Sequence, residues 1–120
     1  MPEYMEKQRI IQELVPGKQI TLAHIIANPD EILYKKLGLD PAMEYSKSAI
    51  GILTVSPAET AIIASDIAIK ASGAQLGFVD RFSGTVIITG TFSEVDASLR
   101  AVTQYAEETL GFTVCKITKT

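Results

Sequence analysis

The chain has 120 residues, of which 47% are hydrophobic and 21% charged, and its formal net charge is −3. This length suits a single domain with one core, and no apolar run approaches the roughly 18 residues that a membrane span requires. Lysine and arginine are scattered along the chain and form no basic stripe, so we expect neither nucleic acid nor a membrane as a partner.

The opening of the chain predicts one uncertain element and one strand. Residues 6–15 fit a strand or a short helix equally well, and Pro16-Gly17 ends either of them with a turn. The start of the chain also lacks the pattern of a signal peptide. Residues 20–27 are apolar and partly β-branched, which is typical of a mostly buried strand.

A short helix and a surface connection are expected next. Asn28 followed by Pro29 predicts a helix start with Asn28 as the N-cap, and Gly38 is suited to end that helix. Over residues 39–48 the regular apolar pattern lapses and Pro41 and three polar residues at 46–48 appear, which favours a loop on the surface.

The next segment predicts a strand and then a long helix. Residues 49–55 are strand-like, and Ser56 and Glu59 match the two ends of a capping box. The helix should run to about Ser72. Small side chains recur along it at spacings of three and four, so we expect another element to pack closely against them: Ala61, Ala64, Ala68 and Ala71.

The remaining third predicts a hairpin, a helix and a last strand. Residues 74–81 and 85–90 are strand-like and flank a short connection that ends in a glycine. Ser93, with Asp96 three positions later, predicts the start of a helix that ends at Gly111. Residues 112–118 then form the last strand. This order predicts one domain over residues 1–120, an α+β fold in which helices cover one face of a mainly antiparallel sheet.

The sequence predicts no catalytic or metal site. Cys115 is the one cysteine and cannot form a disulfide within the chain, which favours the cytosol. Cys115 and His24 are the candidate nucleophile and base, but both lie in apolar strands, where a buried structural role is expected. One Cys and one His do not supply the ligands that zinc needs, and the carboxylates show no clustering. We therefore expect neither an enzyme nor a cofactor.

Two polar groups merit attention. The segment from Asp80 to Gly84 places an acid, a base and a hydroxyl on a tight turn, which by itself is typical of an ordinary hairpin tip. Asp66 and Lys70 have the i, i+4 spacing of a helical salt bridge, which by itself is surface decoration.

Three segments together resemble the shell domain of bacterial microcompartments. They are the strand 50–54, the alanine-rich stretch 64–71 with its Asp and Lys, and the hairpin 77–84 with its Ser-Gly tip. In that family a strand and a helix follow the second long helix, whereas here they precede residue 49. The chain is therefore similar to the circularly permuted subclass, and residues 9–24 are similar to its ethanolamine-utilisation member. The 39–48 connection looks longer than in that member, so a choline or propanediol compartment is an alternative to an ethanolamine one.

The resemblance implies a ferredoxin-like fold and a structural role. It implies a shell subunit in a cytoplasmic microcompartment that forms cyclic homohexamers, which tile with other shell proteins around cargo enzymes. It also implies a pore loop, an edge between hexamers, and an N-terminal extension (residues 1–17) whose strand joins a β-barrel over the pore. The pore loop would be Arg81, Phe82, Ser83 and Gly84; the edge Asp66 and Lys70; and the barrel strand Arg9, Ile10, Ile11, Gln12, Glu13, Leu14 and Val15.

The order of elements by itself also permits a second function. A small ferredoxin-like regulatory module that binds an effector at a subunit interface would have the same strands and helices. Such a module should be stabilised by its ligand, whereas a shell subunit should form a hexamer without one.

Overall fold

The computed structural model describes residues 17–39 and 48–120, so the predicted element at 6–15 and most of the 39–48 connection lie outside the described residues. The elements in these ranges, in chain order, are β1 (Gln19–Ile26), α1 (Ile32–Lys36), β2 (Ala49–Ser56), α2 (Thr60–Ala71), β3 (Gln75–Asp80), β4 (Thr85–Gly90), α3 (Phe92–Glu108), β5 (Thr113–Val114) and β6 (Thr118–Lys119). No helix within the described ranges is long and apolar enough to cross a membrane.

The strands form one mixed sheet in the order β3-β4-β2-β1-β5, with β6 also paired to β1. β1, β2, β4 and β3 pair antiparallel, as predicted, whereas β5 and β6 run parallel to β1. The last strand, expected over residues 112–118, is therefore two short pieces. Cys115 and Ile117, which lie between those pieces, pack against the main core while the chain leaves the ladder.

The sheet has a core on each face. Successive side chains of a strand point to opposite faces, so Leu53 and Val55 of β2 enter the core beneath α2 and α3. Ile50 of the same strand enters a smaller core on the other face, where Tyr34 of α1 packs. The two long helices share one face as expected, but the expectation that all helices do so is wrong, because α1 covers the opposite face.

The helix starts differ from the predicted ones. Ser56 is the last residue of β2, where it pairs with Gln19, and α2 begins only at Thr60. Glu59 is therefore the N-cap residue, and α2 has no side-chain cap. The capping box belongs to α3 and lies two residues before the predicted one. The Thr91 hydroxyl accepts the Glu94 N–H at 3.2 Å, and a Glu94 carboxylate oxygen accepts the Thr91 N–H at 2.9 Å.

Helix α1 also begins later than predicted. Its first residue is Ile32 and its N-cap is Glu31, which makes no side-chain cap, so the cap expected of Asn28 is wrong. The Ile32 N–H instead donates to Oδ1 of Asp30 at 3.0 Å, just before the helix. The end of the helix agrees with the prediction, because Gly38 has a φ of 71°, a left-handed conformation that suits glycine.

The close packing predicted for the alanine stripe is present between α2 and α3. Ala61, Ala64 and Ala68 are buried, although Ala71 is exposed. The Ser98 hydroxyl of α3 donates to the Ala68 carbonyl at 2.7 Å, a contact that a larger side chain at Ala68 would crowd. That carbonyl is one of the last four of α2, which lack partners within the helix. The small residues thus let α3 approach closely enough to donate a hydrogen bond to a carbonyl at the end of α2.

Candidate functional site

The hairpin tip between β3 and β4 is fixed by Asp80. The Asp80 carbonyl accepts the Gly84 N–H at 2.9 Å, which closes the turn. Oδ1 of Asp80 accepts the Phe82 N–H, and Oδ2 accepts the Ser83 hydroxyl, both at 2.9 Å. These two hydrogen bonds, that of Phe82 first, hold the pKa of Asp80 below its ordinary value of 3.8. Both carboxylate oxygens are therefore engaged inside the turn.

Gly84 anchors the tip to the end of β2. Its carbonyl accepts the Val55 N–H at 2.8 Å, and its φ is 77°. A Cβ at this position would overlap the Val55 carbonyl oxygen, so the backbone approach requires glycine. Gly84 is buried, and its N–H is bonded to Asp80, so it does not offer a free backbone amide to a ligand as a glycine in a polar turn suggests.

The outer part of the tip carries an unusual pair of side chains. Phe82 is 81% exposed, and the Arg81 guanidinium lies 5.0 Å from the centre of its ring. A cation over an aromatic face at this distance is attracted by the electron-rich face of the ring. In the part of the chain that the structure describes, no carboxylate pairs with Arg81. The tip thus presents an aromatic ring and a cation to its surroundings.

The predicted salt bridge on α2 is present and fully on the surface. Lys70 Nζ lies 3.0 Å from Asp66 Oδ2, with the two side chains 75% and 61% exposed. Three isoleucines on the same helix are about half exposed: Ile62, Ile63 and Ile69. We did not predict this apolar surface from the sequence. The signal was available, because these residues lie off the alanine stripe that packs on α3.

His24 and Cys115 are not buried as expected; both are half-buried. The His24 ring bridges two threonine hydroxyls near the end of the chain, with Nδ1 2.6 Å from Thr118 Oγ1 and Nε2 3.0 Å from Thr120 Oγ1. Cys115 lines an open groove between α3 and the end of the chain. The cysteine and histidine therefore do not form a nucleophile–base pair. In residues 17–39 and 48–120 no three His, Cys, Asp or Glu side chains gather to hold a metal.

The two predicted groups of site residues that the structure describes occupy separate places. Arg81, Phe82, Ser83 and Gly84 form one turn at the end of the sheet, and Asp66 and Lys70 lie on the exposed side of α2. The predicted barrel residues from Arg9 to Val15 lie outside the described residues.

Comparison with known proteins connects this chain to one family. The BMC domain family model matches residues 49–118. The bacterial microcompartment shell protein PduU of Salmonella typhimurium is 53% identical over 97% of this chain and 100% of its own length. The shell protein EutS of the same organism is 50% identical, over 96% of this chain and 99% of its own. The two identities are nearly equal and favour neither relative over the other.

A solved structure agrees with this similarity. The structure titled "CutR flat hexamer, form 1" superposes with a TM-score of 0.81 at 48% identity, covering 93% of this chain and 99% of that one. The family match starts at residue 49, while β1 and α1 precede it and belong to the same sheet and cores. The order of elements is therefore the permuted one that the resemblance implied. These relatives are named as shell proteins, so the regulatory alternative finds no support among them.

Proposed function

The chain belongs to the BMC-domain family of bacterial microcompartment shell proteins, and from this premise we propose that it assembles into a cyclic homohexamer with a pore lined by residues 81–84. Its role is structural, that of a shell subunit and not of an enzyme, as the sequence predicted. The observation that carries the hexamer is the close superposition, over nearly the whole chain, on a relative whose title describes a flat hexamer.

The hairpin tip supports the pore through its rigidity and its exposed ring. The hydrogen bonds of Asp80 within the turn, and that of Gly84 to β2, fix the backbone from which the outer side chains project. An isolated phenyl group that is 81% exposed forgoes the stabilisation that apolar burial provides. Convergence of six tips on one axis would bring the Phe82 rings close together and leave Arg81 to set the charge of the opening.

Solution mass tests the hexamer. One subunit has a mass of 13.0 kDa, so a hexamer should give about six times that value, about 78 kDa, in light scattering coupled to size exclusion. A trimer near 39 kDa, or a monomer over a range of concentrations, would contradict the hexamer and return attention to a small effector-binding module.

Cross-linking tests the position of the tip. We would replace Phe82 by cysteine in a Cys115→Ser background and treat the assembled protein with a short bismaleimide linker. Subunits of F82C should become covalently joined, because a ring axis brings identical residues together. The matched control is Lys36→Cys on the sheet face that α1 covers, a position that is also exposed but not expected at the axis. Equal joining in both proteins would contradict the proposed pore.

We further propose that Asp66 and Lys70 lie at the edge between hexamers. The support is their high exposure together with the three half-exposed isoleucines on the same helix, a surface that suits contact with another protein. Such edges would join this subunit to copies of itself and to other shell proteins, with cargo enzymes enclosed.

For residues 9–15 we propose the barrel strand over the pore. The support is the resemblance of this segment to the permuted subclass, with PduU matching 97% of the chain. Closure of six strands would leave no free strand edge. Deletion of residues 1–15 should then preserve the hexamer and its melting temperature. Dissociation to monomers would instead assign the segment to the main subunit interface.

A further inference from the structure

The charges at the hairpin tip are arranged unequally. Asp80 directs its two carboxylate oxygens into the turn, toward the Phe82 N–H and the Ser83 hydroxyl. Arg81 has no such partner in residues 17–39 and 48–120, and its guanidinium lies over the Phe82 ring. Each Asp80 oxygen therefore accepts one hydrogen bond within the tip, while the donors of Arg81 are available to a molecule that approaches it.

We infer that Arg81, held on the Phe82 ring, is a binding element for small carboxylates, so that the opening favours organic anions over neutral molecules of the same size. This inference rests on the proposed pore. A guanidinium is planar and offers paired N–H donors that match the two oxygens of a carboxylate. The contact of the guanidinium with the Phe82 ring restrains the Arg81 side chain and reduces the freedom that binding would otherwise remove.

The selectivity should act at contact and not at a distance. Asp80 and Arg81 are adjacent and carry opposite charges, so each tip is nearly neutral when seen from many ångströms away. Close to the tip the two groups differ, because each Asp80 oxygen already accepts one hydrogen bond from the turn, whereas the Arg81 donors make no hydrogen bond within the described residues. Six such tips would give six weak carboxylate contacts around one opening, suited to rapid binding and release.

Ligand-observed NMR on the assembled full-length protein tests this inference. Saturation transfer would be measured to acetate and to acetamide, which have nearly the same shape but differ in charge. The wild-type protein should transfer saturation several-fold more strongly to acetate. Arg81→Gln should lose most of the acetate signal, and Arg81→Lys should retain only part of it, because the charge remains but the planar fork is gone.

A matched control removes an equivalent charge elsewhere. Arg100 is 64% exposed and pairs with Asp96 on α3, so Arg100→Gln should leave the acetate signal nearly unchanged. An acetate signal that persists in R81Q, or equal signals from acetate and acetamide in the wild type, would overturn the inference.

The two proposals fail separately. If F82C subunits are joined by the linker but acetate binding does not depend on Arg81, the proposed pore is supported and its carboxylate preference is wrong. If acetate binding depends on Arg81 but the tips are not joined, the carboxylate site stands and its position in a pore is wrong.

Discussion

Asp80 gives the hairpin tip a defined response to pH. Its folded-state pKa is lowered from 3.8 by hydrogen bonds from Phe82 and Ser83, so the unfolded chain binds its proton more readily. The stabilisation is complete above pH 3.8 and disappears as the pH falls through the folded-state pKa. We expect the melting temperature of Asp80→Asn to fall below that of the wild type at neutral pH, with the gap closing in acid. A gap that is constant from pH 7 to pH 3 would contradict this origin.

A comparison of Gly84 with Gly38 separates the cost of backbone strain from the cost of steric overlap when a side chain is added. Both have a positive φ, but a Cβ at Gly38 meets nothing within 4 Å, whereas one at Gly84 overlaps the Val55 carbonyl. Gly38→Ala should therefore lower the free energy of unfolding by about 1 kcal/mol, from the strain of a left-handed backbone alone. Gly84→Ala should lower it by more than about 2 kcal/mol, since the tip must leave β2. Urea unfolding at equal protein concentration measures both, and equal losses would show that the tip moves freely.

At the scale of elements, two residues compete as the N-cap of α3, Ser93 and Thr91. The sequence suggested Ser93, but the structure places the reciprocal hydrogen bonds on Thr91 and Glu94. Thr91→Ala should lower the free energy of unfolding by about 1 kcal/mol, the usual cost of a lost N-cap. Ser93→Ala should change it by less than about 0.5 kcal/mol, because Ser93 is exposed and already within the helix. The reverse order of the two losses would restore the predicted cap.

The elements themselves were largely predictable, whereas their ends and faces were not. Runs of apolar residues identified β1 and β2, the glycine-ending connection identified the hairpin, and capping and spacing patterns identified both long helices. Ser56 was misread because its capping pattern is local, while its pairing with Gln19 depends on a distant strand. Helix α1 lies on the opposite face because Tyr34 packs against Ile50, a residue of β2 that points to that face. Contacts of that range leave no mark in local spacing.

At the scale of the molecule, the positions of the candidate site residues were predictable from the sequence, but their contacts were not. The turn 81–84 and the pair Asp66–Lys70 could be selected from the sequence because the family resemblance passes through them. Their local geometry could not: the engaged carboxylate of Asp80 and the stacking of Arg81 on Phe82 depend on the folded turn. The exposed isoleucines of α2 were missed because the prediction for this helix rested on its alanine stripe alone.

The edge proposal gives the clearest prediction for the whole assembly. The Asp66–Lys70 pair is so exposed that its own contribution to stability should be no more than about 0.5 kcal/mol. Lys70→Ala should therefore leave the melting temperature and the hexamer nearly unchanged, yet abolish extended sheets in electron micrographs, because only the contact between hexamers is removed.

A matched lysine shows whether the loss of sheets is specific to the edge. Lys36, at the end of α1, is also exposed, and Lys36→Ala removes the same charge from the opposite face of the sheet. Sheets of K36A should match those of the wild type, since net charge alone does not decide which surfaces meet. If K70A still forms sheets, or if K36A loses them equally, Lys70 is an ordinary surface lysine whose ion pair decorates α2. Sheets lost only in K70A would instead place this face of α2, with Ile62, Ile63 and Ile69, at the junction of neighbouring hexamers.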